Sequence, residues 1–303
     1  MKSFQFILAI LLLQGPFLFA EGYAIPVRGL PNLGSSCYVN SVLQCLFQIP
    51  EFAQLIREET FYACPFLDGC KSVADVLDTN NDEEILESIA QLFDQTAGCL
   101  FDGSCEQQDV LDLLLYVISS IPELQSQFCL LVNTKISCIE CGTLLKSASH
   151  TAYDLPLDTL APQIIDGINC PECQISQIKA CKKSEINNFP KYILINCDQL
   201  CGRNGTTALK NLQDIQSKLF DYELIGAILY VGNKKNGHYI AQIRENFTKK
   251  WYLCNDMHVV KFENIATEKQ KSGILHTKNH VAFLPRILFY SKKQQKRTTK
   301  VSI

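Results

Sequence analysis

The chain has 303 residues, of which 47% are hydrophobic and 19% charged, and its formal net charge is −3. That composition excludes a disordered or fibrous polymer and supplies apolar material for one large domain or two ordinary ones, while the charge points to no polyanionic partner. Fifteen cysteines, an odd number, exclude complete internal disulfide pairing.

Lys2 precedes an apolar run from Phe6 to Ala20 that is interrupted only by Gln14, Gly15 and Pro16. Residues 1–20 read as a secretory signal peptide or a membrane anchor, and the second reading brings membrane association. The chemistry further along the chain needs reduced sulfur instead, so sequence leaves the compartment open.

From Arg28 to Leu46 a polar, glycine-containing turn runs into a helix, with Cys37 at the junction. Val39, Val42, Leu43, Leu46 and Phe47 fall on one face at helical spacing, and Pro50 ends the run. Ser35 or Ser36 is expected to cap the first turn through its hydroxyl. A thiol at a helix N-terminus meets unpaired N–H groups and the positive end of the dipole, which favour the thiolate a cysteine nucleophile needs.

Phe52, Leu55 and Ile56 mark one amphipathic segment and Val73, Val76 and Leu77 another. A firmer helix is predicted from Asp82, with Ile85, Leu86, Ile89, Leu92 and Phe93 on its apolar face. Cys64 to Cys70 and Cys99 to Cys105 read as two loops whose ends are disulfides or ordinary loop cysteines. Ser104 and Gln107 then form a capping box opening a helix through Val110, Leu111, Leu114, Val117 and Ile118.

From about Cys129 the period changes to that of strands. Tyr192–Ile195, Leu224–Val231, His238–Ile243, Lys250–Leu253 and Val281–Tyr290 are the clearest. Helices first and strands later predicts an α+β architecture. Within the strand region, Cys138-x-x-Cys141 and Cys170-x-x-Cys173 are two knuckles that can place four thiolates on one tetrahedral, closed, structural zinc. His238 follows Gly237 at a loop-to-strand junction, where a lone histidine is more often a surface or satisfied residue.

These motifs resemble those of the ubiquitin-specific proteases. Gly29 to Leu46 is similar to the family's cysteine box, with Ser35, Ser36 and Val39 where Asn, Thr and Met are usual. Gln107-Gln108-Asp109 followed by Asp112 resembles its second motif and is assigned to structural support. Gly237-His238-Tyr239 resembles its histidine box, Trp251 to Asp256 its downstream element, and Ile287 to Tyr290 its closing strand.

The resemblance covers roughly residues 28–290 and implies a papain-like cysteine protease fold. It has a helical thumb (about 28–127), zinc-ribbon β fingers (about 129–185) and a β palm (about 186–290), with 291–303 left as a basic tail. It also implies that Cys37 is the nucleophile, His238 the acid and base, and Asn32 the oxyanion donor. Asn255 occupies the third position, Asp256 is the adjacent acid, and either orients His238.

The implied activity is thiol-dependent hydrolysis of the isopeptide bond at the C-terminal glycine of ubiquitin or a ubiquitin-like protein. The implied partners are ubiquitin and ubiquitinated proteins. One rival is a non-catalytic ubiquitin-binding scaffold, suggested by divergence over Asn188–Cys197 and at Tyr230. The other is a zinc-ribbon nucleic-acid binder. The negative net charge speaks against it, and no nucleic-acid partner is expected.

Overall fold

The computed structural model describes residues 25–58, 65–79, 81–101, 106–159, 161–198, 221–232, 237–262 and 282–293, with positions 23, 103, 219, 275 and 276. The apolar segment 1–20 and the tail beyond residue 293 lie outside the described residues. Among the described residues no helix is long and apolar enough to cross a membrane.

Helices come first: α1 (Cys37–Leu46), α2 (Pro50–Glu58), α3 (Pro65–Val76), α4 (Asp82–Leu100), α5 (Val110–Ser120) and α6 (Pro122–Phe128). All ten residues of α1 are buried, because it packs on α5 on one side and on strands of the large sheet on the other. Cutting a fully enclosed side chain such as Leu43 to alanine there would cost about 2–5 kcal/mol.

Several local expectations are corrected. Pro50 does not end α1, which stops at Leu46; it opens α2 as its first residue. The Cys64–Cys70 segment is not a loop, since α3 runs from Pro65 with Gly69 inside it. A Cβ on Gly69 would lie 2.4 Å from Gln95 Oε1 and 2.8 Å from Leu92 Cδ1, so this glycine lets α3 and α4 touch. Cys99 likewise belongs to α4, and Cys70 is buried while Cys99 is exposed. Cys64 and Cys105 lie outside the described residues. Asn81 caps α4 by accepting from the Glu83 and Glu84 N–H groups, and Leu86 faces solvent, unlike Ile85, Ile89, Leu92 and Phe93.

The strands follow as β1 (Leu130–Cys138), β2 (Leu144–Ala152), β3 (Leu155–Pro156), β4 (Gln163–Cys170), β5 (Ile175–Ile186), β6 (Tyr192–Asn196), β7 (Tyr222–Gly232), β8 (Gly237–Arg244), β9 (Trp251–Asn255), β10 (His258–Phe262), β11 (Leu275–His276) and β12 (Ala282–Lys292). One antiparallel sheet has the order β2-β1-β5-β4. The larger has the order β10-β9-β8-β7-β12-β6-β3, with β11 on β12, and β3 is parallel to β6. Both faces of the larger sheet are covered. Leu194, Ile228 and Phe289 join the helical core, while their neighbours Ile193, Leu229 and Leu288 join a second core with Leu130 and Val132. Double burial explains why these strands read as continuous apolar runs.

Candidate functional site

Cys37 is the first residue of α1, 3% exposed, at the end of the helix where the backbone N–H groups are unpaired. Gly34 takes a φ of 97° to turn the chain into the helix. Ser36 stands at the N-cap but does not cap; its Oγ accepts from the Leu33 N–H at 2.9 Å, folding the preceding loop onto itself. That leaves the first turn of α1 without a competing side-chain acceptor from Ser36.

His238 is the second residue of β8 and faces Cys37 from the sheet. Its Nε2 lies 2.7 Å from Asn255 Oδ1 at the end of β9, which leaves Nδ1 for the hydrogen bond with Cys37. Asp256 Oδ2 is farther from Nε2, at 3.6 Å. The hydrogen bond with Cys37 raises the imidazole pKa to about 9, against partial burial and with help from Asn255 and the charges of Cys37 and Asp256. The ring is therefore protonated through neutral pH, as the partner of a nucleophilic sulfur should be.

Asp256 is occupied elsewhere. Its Oδ2 accepts from Asn32 Nδ2 and its Oδ1 from Asn40 Nδ2, both at 2.9 Å. Asn40, 2% exposed in α1, also donates to the Pro31 carbonyl at 3.0 Å. One carboxylate thus ties the loop before Cys37 to the turn after Asn255. Asp256 sits at φ 49° in the two-residue turn joining β9 and β10, and its carbonyl accepts from the Leu30 N–H at 3.0 Å.

Close docking of that turn requires Gly29, where a Cβ would fall 2.3 Å from the Met257 carbonyl oxygen. The obstacle is backbone and cannot rotate away. Gly29→Ala should therefore destabilise the protein by about 1–3 kcal/mol. Thermal melting, with Tm expected about 2–6 °C lower, checks this.

Gln107 belongs to the site although sequence assigned it to support. Its Nε2 donates to Cys37 Sγ at 3.2 Å. α5 starts at Val110 with the Asp109 carboxylate accepting from the Leu111 N–H, so the helix does not open at Ser104, which lies outside the described residues. Asp109 is also paired with Arg286 of β12. The Gln-Gln-Asp similarity was the available signal, but 70 residues separate Gln107 from Cys37, and only the packing of α1 on α5 brings them together. Asn32, Cys37, His238, Asn255 and Asp256 are all brought into one connected cluster.

A second cluster stands at the far end of the smaller sheet. Cys138, Cys141, Cys170 and Cys173 place their four sulfurs within 4.8 Å of one another. Cys138 and Cys173 are 3.7 Å apart and Cys141 and Cys170 3.6 Å, close to the edge of about 3.8 Å expected for four thiolates 2.3 Å from one ion. Gly142 and Gln174, each following the last cysteine of its knuckle, are both left-handed, at φ 75° and 53°. The four thiols could hold a metal ion.

The family model for ubiquitin carboxyl-terminal hydrolase matches residues 28–290. Ubiquitin carboxyl-terminal hydrolase 25 of Arabidopsis thaliana is 24% identical over 334 residues, covering 89% of this chain and 48% of that protein. Ubiquitin carboxyl-terminal hydrolase 17-like protein E of Mus musculus is 22% identical over 307 residues, covering 82% and 55%. The chain thus spans about half the length of these relatives. Among solved structures, the SAGA Ubp8/Sgf11/Sus1/Sgf73 DUB module bound to ubiquitin aldehyde matches with a TM-score of 0.64 at 17% identity, covering 91% of this chain and 71% of that one.

Proposed function

The chain belongs to the ubiquitin carboxyl-terminal hydrolase family, and from that premise we propose that it is a thiol-dependent deubiquitinase. The observation that carries this reading is His238 joined to Cys37 on one side and Asn255 on the other.

Cys37 Sγ attacks the carbonyl carbon of the C-terminal glycine of ubiquitin, and the carbonyl π electrons move to oxygen. Asn32, held through one N–H by Asp256, turns its second N–H to that oxyanion together with the backbone N–H of Cys37. Asn255 holds the ring while His238 gives its proton to the leaving lysine amine, and the C–N bond breaks to leave a thioester. His238 then takes a proton from water, whose oxygen displaces the sulfur. Gln107 holds Cys37 Sγ in place.

The four-cysteine cluster suits zinc, which takes four thiolates in a closed tetrahedral site. It would supply folding stability to the end of the smaller sheet and no chemistry at Cys37, since such a site keeps no open position.

Ubiquitin carrying a C-terminal thiol-reactive group tests the proposal. The full chain should gain the mass of one ubiquitin, and Cys37→Ala should not. A folded protein that forms no adduct would exclude ubiquitin as the modifier recognised.

A further inference from the structure

One buried amide beside the thiol centre takes no part in the proton transfers. Asn40 lies in α1 three residues after Cys37, about one turn along the same face, and is 2% exposed. Its Nδ2 carries two protons and meets three acceptors: Asp256 Oδ1 at 2.9 Å, the Pro31 carbonyl at 3.0 Å and the Leu30 carbonyl at 3.4 Å. Its Oδ1 is buried too and accepts from no donor among the described residues. An orphaned buried acceptor is destabilising, so what this side chain contributes lies at its donor end. An ionised carboxylate there would offer no donor and a hydroxyl only one.

That donor end decides where the Asp256 carboxylate points. One oxygen is drawn to Asn40 and the other to Asn32, each at 2.9 Å. Oδ2 is thereby left 3.6 Å from His238 Nε2, beyond a hydrogen bond. The ring is bonded through Nε2 to the neutral Asn255 instead, at 2.7 Å. Among the described residues, Cys37 from α1 and Asp256 from the β9–β10 turn are the charged groups that act on the imidazole. An imidazolium bonded directly to a carboxylate would hold its proton more tightly. It would then be a poorer acid toward a leaving amine.

We infer that Asn40 is a positioning residue that acts through Asp256, holding its carboxylate on Asn32 and off His238 so that a neutral amide orients the ring. Its catalytic meaning rests on the deubiquitinase reading, whereas the geometry itself does not depend on the substrate. Without Asn40, Asp256 Oδ1 loses its donor, and the carboxylate turns to the imidazolium beside it. Asn32 then loses the contact that places its amide.

NMR titration of the full chain with labelled histidine rings, without substrate, reads that geometry; His238→Gln identifies the resonance among the five histidines. The His238 ring of the unsubstituted chain should titrate at about 9. Asn40→Leu should raise this by about one unit. Asn40→Ser should act in the same direction, since its hydroxyl bonds back to its own helix. The rise should vanish when Asp256→Asn is added, and asparagine suits the left-handed φ of 49° there. Adding Asn40→Ser to Asn255→Ala should return the ring toward 9, because the freed carboxylate replaces the lost amide. Loss of packing alone gives no such rescue. On a ubiquitin C-terminal amide, either Asn40 variant should lower kcat about tenfold or more with KM unchanged. A ring titration that stays or falls in folded Asn40 variants, or rises equally with Asp256→Asn present, overturns the inference. So does loss of folding in both Asn40 variants, which would make the residue's role packing alone. Absence of a ubiquitin adduct at Cys37 would overturn the choice of modifier and leave the expected titrations as they are.

Discussion

His238→Ala is expected to lower kcat/KM on a ubiquitin C-terminal amide by about 10³-fold or more, because both thiolate stabilisation and proton delivery go with the ring. In the unsubstituted protein kcat/KM should fall as pH rises through about 9, where the imidazolium proton is lost. The same shift has a sign for stability. A histidine pKa raised above its usual 6.5 stabilises the fold below that pH, and the contribution disappears as pH climbs through about 9. Asn255→Ala removes one of the contacts that raise the ring, so its alkaline limb should move below 9 while kcat falls. Asp256→Ala should act chiefly by releasing Asn32, lowering kcat with a smaller shift of that limb. Losses from Asn32→Ala and Asp256→Ala should then be far from additive, because the second mainly undoes the first residue's placement. Additive losses, or a larger limb shift from Asp256→Ala than from Asn255→Ala, would reassign the orienting role to Asp256.

That division of labour was not readable from the chain. Asn255 and Asp256 are adjacent, both polar, and each able to hold an imidazole. The choice depends on φ 49° at Asp256, which turns its carboxylate toward Asn32 and Asn40 and leaves Asn255 to the ring. Cys37, His238 and the cysteine knuckles were legible because their chemistry is carried by residue type and short spacing. Strands β6, β7 and β12 were legible because burial on both faces left apolar runs. Misreadings arose where a local rule met a tertiary contact. Gly69 looked like a loop residue, yet it lets two helices touch. Ser104 and Gln107 matched a capping pattern, yet Asp109 caps α5 and Gln107 is drawn to Cys37. Ser36 had the right residue type at the right place, but its hydroxyl serves the loop before it.

Stripping metal from the four cysteines should unfold the end of the smaller sheet while the rest of the molecule stays folded. Little besides a metal bound by those cysteines would hold that region. Its core comprises the buried Cys138, Cys170 and Ile178, with Leu145, Ile168 and Cys173 packed against it. β2 is exposed along almost its whole length, and β4 shows no buried residue before Cys170. β1 and β5 differ at their other ends, where Leu130 and Val132 lie in the core of the larger sheet and Ile186 packs against it. A structural four-thiolate zinc contributes about 10–16 kcal/mol of apparent binding free energy, far more than that small cluster can supply. Chelation, or Cys138→Ala, should therefore release one zinc per chain and speed amide exchange at the ends of β1, β4 and β5 that meet the cysteine cluster. Exchange in α1, β7 and β8 should not change, since those elements belong to the two larger cores. Exchange rising everywhere at once would mean that the sheets fold as a single cooperative unit. Unchanged exchange after complete metal loss would mean that the knuckles hold their shape through backbone hydrogen bonds such as Gly142 N–H to the Cys138 carbonyl, at 3.0 Å. The expected result lies between these, because β1 and β5 each have one end in a packed core and the other on the metal site.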